Sequence, residues 1–319
     1  MSQTIIYDHN DPSRIDKFLA EHLSISRNLL QRVFDDGFVV VNKKEAKKSQ
    51  ILNRWDEIVY DIDIKRFDVE DIFAESTYID LKILHEHDDY IVVYKPKWVL
   101  SHPKNLWDVS SPSVASFLYH KYGKINIIWS FVRAGIVHRL DKDTDGLMIC
   151  VLSERWLKYF RSIFDARSSL FDQDIVSTKL QQYDEWHLQK YYRALCNITP
   201  TWLSKLRTTS LPYFINKIVI PKIPQKRWNK VGITEIISHD RDLDLKLFDN
   251  YGYDKVVVFD MKIRTWRTHQ IRYHLSSEWC PIVWDFLYNK LYKKNQQLQL
   301  TAYRLKFIDP DGLTIDISI

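Results

Sequence analysis

Residues 133–152 read Arg-Ala-Gly-Ile-Val-His-Arg-Leu-Asp-Lys-Asp-Thr-Asp-Gly-Leu-Met-Ile-Cys-Val-Leu, a tightly charged stretch held between two apolar, strand-like flanks. No amphipathic helix has that pattern. It predicts a polar loop between packed strands, which is where sites are commonly built. On residue chemistry alone, His138, Arg139 and Asp141 fit either a surface ion cluster or a catalytic loop. Strand patterns recur around it. Ile83-Leu84-His85 and Tyr90-Ile91-Val92-Val93-Tyr94 flank a predicted hairpin turn at residues 86–89, and residues 255–263 form a further strand candidate. Helical spacing marks 113–122 and 154–164, so strands and helices mix and the larger part of the chain is expected to be α+β. The polar stretch 165–187 is expected to be an insertion or long loop.

The first 65 residues read as a separate small module. An amphipathic helix carries Ile15, Phe18, Leu19 and Leu23, and a second, capped by Ser26, carries Leu29, Leu30, Val33 and Phe34. Gly37 stands where a helix C-cap belongs, before the strand Phe38–Val41 and a turn at residues 42–44. The cluster Lys43, Lys44, Lys47, Lys48 fits a solvated turn or an RNA contact. Residues 66–80 are acidic and weakly periodic, as in a linker, which leaves 81–319 as the second domain. Residues 217–230 hold five basic and no acidic side chains and form a candidate phosphate-facing strip.

Net charge is +5, which permits an RNA partner without requiring one. The three cysteines are far apart and lack metal-ligand spacing, so a reducing compartment is the simplest expectation. The first residues show no basic segment followed by an apolar run, and no apolar stretch approaches the ~20 residues of a bilayer span. A soluble, cytoplasmic protein with no membrane partner is expected. His269 and His274 lie five apart; in a strand-like segment that spacing puts the rings on opposite faces, so no metal is expected.

"RAGIVHRLDKDTDGL" resembles the signature motif of the RluA-type pseudouridine synthases. Three more segments resemble that family's motifs in the family's order: 83–103 ending in Lys95-Pro96 and His102-Pro103, "KYYRAL" at 190–195, and "IRTWRTHQIRYHL" at 263–275. The helix pair with its basic turn resembles the S4 RNA-binding domain.

The resemblance implies a catalytic domain on a mixed, mainly antiparallel sheet with flanking helices, behind a small N-terminal S4-like module. It implies isomerisation of uridine in RNA, with large-subunit ribosomal RNA as the expected substrate and a tRNA-directed member or an inactive RNA-binding homologue as the alternatives. Asp141 matches the catalytic aspartate, a nucleophile at uracil C6 or ribose C1′. Arg272 matches the arginine that pairs with the aspartate, and Tyr192 the active-site tyrosine. His138, Arg139, Lys43, Lys44, Arg267 and His269 are the expected RNA contacts, Arg139 filling the gap left by a flipped nucleotide. No cofactor or metal is implied, and a monomer is expected.

Five departures from the family pattern share one form. Trp55, Trp98, Trp266, Trp279 and Trp284 stand where the family has glycine. The chain has 11 Trp and 7 Gly, where ordinary usage predicts roughly 22 Gly. Either the fold repacked around real tryptophans, or UGA codons that the source organism reads as glycine were translated as tryptophan.

Overall fold

A computed structural model describes residues 2–23, 30, 33–34, 37–61, 73, 76–103, 110–123, 135–170, 188–198, 208, 210–219, 230–240, 256–291 and 295–319. The chain divides into two compact units, Met1–Ile79 with His102–Ala134, and Asp80–Ser101 with Gly135–Ile319.

In the first unit, β1 (Gln3–Ile6), β6 (Glu57–Tyr60), β3 (Val39–Val41) and β4 (Lys44–Glu45) form an antiparallel sheet in that order, and β2 (Ser13–Arg14) pairs with β5 (Ile51–Leu52). Helix α1 (Ile15–His22) buries Ile15 and Leu19 in a core with Val39, Val41, Leu52 and Ile58. The second predicted helix falls largely outside the described residues, although Leu30, Val33 and Phe34 join the same core. The β3–β4 hairpin closes through Asn42 and Lys43, both at positive φ (49° and 65°), as a two-residue loop between right-twisted strands requires. Helix α2 (Val114–Tyr122) starts at a Ser113–Ser116 capping box and stops at Gly123. Most of the predicted linker lies outside the described residues.

The second unit is built on one sheet. Its order is β11 (Tyr213–Val219), β12 (Lys230–Asp240), β13 (Val256–Ile263), β10 (Leu188–Asn197), β14 (Leu300–Ile308), β9 (Asp145–Val151), β8 (Tyr90–Lys95), β7 (Ile83–His87), with β15 (Thr314–Ser318) also on β14. All pairings are antiparallel except β14–β9, so the sheet is mixed and mainly antiparallel, as the sequence led us to expect. The parallel pair needs a very close approach. A Cβ on Gly146 (φ 123°) would lie 2.2 Å from the Ala302 carbonyl oxygen, so the glycine that ends the charged motif is required by the sheet.

Helix α3 (Glu154–Leu170) covers one side of the sheet, its Trp156 stacked on Tyr90 with centroids 4.3 Å apart. It continues past Phe164 into what reads as loop; residues 171–187 of that stretch lie outside the described residues. Helix α4 (Gln270–Ser277) corrects the strand-like reading of 263–275. The basic strip 217–230 is described only at its ends, in β11 and β12.

Candidate active site

Asp141 sits on the loop that leads into β9, and that loop is fastened at almost every residue. His138 and Leu140 are buried, Arg139 is exposed and Asp141 is half-buried. His138 Nε2 accepts the Ile149 N–H at 3.0 Å. Ser101 Oγ accepts the Leu140 N–H and donates to the Leu140 carbonyl. Beyond Asp141, the Lys142 carbonyl accepts from the Trp98 N–H at 2.9 Å and from Lys95 Nζ at 3.3 Å. Lys95 also donates to the carbonyls of Pro96 and Val99. The Lys-Pro turn thus grips the aspartate loop from one side. Burial pushes the Lys95 ammonium down to about 8, against the opposing pull of Asp145, Asp141 and Asp143.

From the other side come β13 and α4. Thr265 Oγ1 accepts the Ile233 N–H and donates to Gln270 Oε1 at 2.6 Å, while Gln270 Nε2 donates to the Ile233 carbonyl and Thr234 Oγ1. This buried lattice pins the turn 264–269 to β12 and sets the start of α4. Its N-cap, His269, is in the left-handed region (φ 56°). That conformation brings His269 Nε2 to 3.8 Å from Asp141 Oδ2. The same nitrogen is 3.3 Å from Arg272 Nη1, and Nδ1 is 3.1 Å from the Tyr288 hydroxyl. A guanidinium only donates, so Nε2 is the acceptor and the imidazole proton resides on Nδ1.

Arg272 departs from expectation. Its fork closes on Asp285, with Nε–Oδ2 and Nη2–Oδ1 both 2.7 Å, and both side chains are almost fully buried. The carboxylate that takes its hydrogen bonds is therefore Asp285, not Asp141. Asp141 still raises the guanidinium's pKa as a neighbouring charge, a smaller influence than the Asp285 contacts.

Tyr192 is buried on β10 where the β10–β14 register shifts. A strand irregularity of that kind re-aims side chains beside active sites. Burial, with Asp141's charge as the second cause, moves its hydroxyl well above the ordinary tyrosine value, so the phenol stays protonated.

The fold therefore brings Asp141, Tyr192, Arg272 and His269 together in one unit. His138, expected to contact RNA, is instead a buried prop for the loop. Its imidazole is pushed well below the usual histidine range by burial and then by Lys190. Arg267 is half-buried, its Nε donating to the Val231 carbonyl. Arg139 is exposed, and Lys43 and Lys44 are exposed at the hairpin turn of the other unit. Asp285 and Gln270 escaped sequence reasoning. Asp285 closes the stretch 279–285, in which only Trp279 and Trp284 stand out in the sequence.

Four of the five glycine-pattern tryptophans have positive φ: Trp55 73°, Trp98 71°, Trp279 62° and Trp284 61°. Trp266 does not.

A loop carboxylate thus stands beside a buried guanidinium, an imidazole and a protonated phenol, a polar cluster of the kind found in enzyme sites. The particular family follows from comparison. Residues 89–277 match the RNA pseudouridylate synthase family, and the chain belongs to it, within the RluA-type group. It is an RNA pseudouridine synthase, an isomerase. An uncharacterised RNA pseudouridine synthase of Aquifex aeolicus is 26% identical over 87% of this chain and 77% of its own length. The ribosomal large subunit pseudouridine synthase D of Borreliella burgdorferi is 28% identical over 92% of this chain and 81% of its own. Among solved structures, human RNA pseudouridylate synthase domain containing 1 is 18% identical, with a TM-score of 0.49 over 75% of this chain and 83% of its own. Among the described residues, no helix is long and apolar enough to cross a membrane.

Proposed function

We propose that this enzyme converts uridine to pseudouridine in large-subunit ribosomal RNA, with Asp141 as the nucleophile. The observation that carries the mechanism is the setting of Asp141. Its carboxylate is half-shielded, its loop is fastened on both sides, and Arg272 and His269 stand next to it. A fixed loop limits the reorganisation that attack requires. A carboxylate oxygen bonds to C1′ or C6 of the target nucleotide and the N1–C1′ bond breaks. The base turns in place, C5 bonds to C1′, and the aspartate–carbon bond breaks with its electron pair returning to the carboxylate. C5 loses a proton and N1 gains one, so no electrons or phosphoryl groups are exchanged, and neither metal nor cofactor enters the scheme.

Tyr192 packs against the extruded base with its phenol protonated. Arg139 fills the vacated stack, while Arg267 and His269 line the entry. Residues 1–65 act as an S4-like RNA-binding domain that uses Lys43 and Lys44, with 66–80 as a linker and 81–319 as the catalytic domain. The enzyme works as a cytoplasmic monomer. The ribosomal assignment rests on relatives named as large-subunit enzymes.

The test is pseudouridine mapping of total RNA from cells with and without the gene, complemented by wild type or Asp141→Ala. A large-subunit site lost with the gene, restored by wild type and not by Asp141→Ala, is the expected result. Restoration by the alanine variant refutes the nucleophile; a site confined to tRNA refutes the substrate.

A further inference from the structure

Strand β14 changes partners halfway along, and the gap this leaves is not used by the isomerisation. β10 occupies one edge of β14 from Leu300 to Phe307. The other edge is shared: β9 pairs with it at Thr301 and Ala302, and β15 from Arg304 to Ile308. Tyr303 stands at the fork, where its carbonyl accepts the Ile319 N–H at 2.9 Å. The register with β10 shifts at the same point, between Tyr191 and Arg193. Two strands that part from a common neighbour leave a crevice between them. A cavity of about 450 Å³ lies there, and its walls include Lys82, Leu84, Tyr94, Arg193, Thr301 and Tyr303, all in the second unit. Tyr94 precedes Lys95, and Arg193 follows Tyr192. Consecutive side chains of a strand face opposite sides of its sheet, so this cavity opens away from Asp141 and is separate from the active site.

The carboxylates beside it are already engaged. Asp145 accepts from the hydroxyls of Tyr94 and Thr301, both at 2.8 Å. Asp260 accepts from Arg193 Nε at 2.7 Å and Nη2 at 2.9 Å, and from Ser238 Oγ. The polar atoms left over on the wall side chains can all donate. They are Arg193 Nη1, the Tyr303 hydroxyl and the ammonium of Lys82, which is exposed and has no acidic partner among the described residues. The Arg193 guanidinium carbon lies 4.7 Å from the centre of the Tyr303 ring, so a flat cation and a flat aromatic group stand together at the opening.

We infer that this crevice is a second RNA site, which binds one nucleotide of a single-stranded segment by its phosphate and its base. The free donors and the uncompensated charge of Lys82 select a phosphate. The Tyr303 ring with its guanidinium offers the base a face, and Leu84 adds an apolar wall. The volume lies within the ~300–1,000 Å³ of small-ligand pockets, which suits a single nucleotide and excludes a paired helix. Stacking on a tyrosine face tolerates any base, so the site adds affinity and orientation and not sequence readout. Nothing in this depends on Asp141 being the nucleophile, and the test involves no turnover, so the two readings stand or fall by different assays.

Binding is measured by fluorescence anisotropy with the full-length protein and a labelled single-stranded octaadenylate, which offers the active site no uridine. Wild type, K82Q, Y303F and Y303A are compared over a range of KCl concentrations, with folding checked by circular dichroism. Ultraviolet crosslinking of the bound RNA, followed by peptide mapping, locates the contact. Loss of one phosphate contact in K82Q should make the slope of log K against log [KCl] shallower by about 0.7, the single-strand value per phosphate. Y303A should bind about tenfold more weakly, and Y303F within about threefold of wild type, because the ring and not the hydroxyl carries the stack. Crosslinks should fall on Tyr303 or Tyr94. K82Q alters an exposed side chain, so its salt slope and the crosslinks decide the matter even if Y303A does not fold. An unchanged slope in K82Q, or crosslinks confined to residues 1–65 or to the Asp141 face, overturns the inference. So does a folded Y303A that binds like wild type, which would leave only diffuse attraction by charge. Adenosine monophosphate binding as tightly as the octamer would make the ligand a free nucleotide, and oligoglutamate displacing the RNA as readily as unlabelled octamer would make it an acidic peptide; either result overturns the inference.

Discussion

At four positions this chain places its bulkiest side chain where backbone geometry favours having none, and replacing those tryptophans tests why. Trp55, Trp98, Trp279 and Trp284 have φ between 61° and 73°. A residue with a Cβ costs roughly 1–2 kcal/mol in that region. Glycine escapes that cost but loses about 0.5–1 kcal/mol relative to alanine through its greater freedom when unfolded. Comparing Trp→Gly with Trp→Ala at each site cancels the lost packing of the indole, which both substitutions remove. What remains is a preference for glycine of about 0.5–1 kcal/mol per site. Trp266, without positive φ, should show the reverse, alanine being favoured by about 0.5–1 kcal/mol.

Equilibrium urea unfolding reads these differences. Trp55 belongs to one compact unit and Trp98, Trp279 and Trp284 to the other, so the effects should appear in separate transitions wherever the units unfold apart. Three of these rings are mostly exposed, at 63% for Trp55, 52% for Trp98 and 75% for Trp279, so little indole packing is lost with them. Over the three sites of the second unit the gain of glycine over alanine reaches about 1.5–3 kcal/mol, a sizeable share of a domain's typical ~5–15. Alanine variants as stable as the glycine variants at all four sites would refute the reasoning. The gene supplies an independent check: UGA codons at these positions, in an organism that reads UGA as glycine, mean that the natural protein has glycine there. UGG codons mean that the fold carries real tryptophans and their strain.

Acid should weaken the fold through two buried imidazoles. His274 is held down to about 4, chiefly by burial, and His138 lies well below its ordinary value, so the unfolded chain binds protons that the folded one refuses. Stability should be unaffected above the unfolded histidine value near 6.5, then fall as pH drops, His274 alone contributing about 3 kcal/mol by pH 4; H274Q should flatten that slope in urea titrations at pH 7 and pH 5. Gly146→Ala should cost at least ~3 kcal/mol, because its Cβ would overlap the Ala302 carbonyl, and a loss under 1 kcal/mol would mean that β9 and β14 can part cheaply. Arg139→Ala should leave thermal unfolding within about 0.5 kcal/mol of wild type, the side chain being exposed, yet lower kcat/KM on RNA about tenfold. Unchanged kinetics would remove Arg139 from the site.

The parts of this site that were legible in the sequence are those that a short segment determines alone. The strands flanking Asp141 announce themselves because Tyr90–Val93 and Leu147–Val151 are unbroken apolar runs, buried throughout in the sheet. The hairpin between β7 and β8 is local, and α2 carries its own cap in Ser113. Helix α4 has no such signal. His269 makes no side-chain cap bond, the helix has only 8 residues, and its start is set by Thr265 and Gln270 reaching across to β12. Polar residues alternating with Ile271 and Tyr273 imitate a strand until β12 is in place. The same reasoning explains Arg272. Its identity was readable, but which of two carboxylates holds it depends on the turn that carries Asp285 back beside α4. That turn includes Trp284 at positive φ, immediately before Asp285. If residue 284 is glycine in the natural protein, the geometry that presents Asp285 to Arg272 comes without strain. If it is tryptophan, part of the fold's stability is spent on holding that carboxylate beside the guanidinium, and the W284G variant should be the more stable with the fork unchanged.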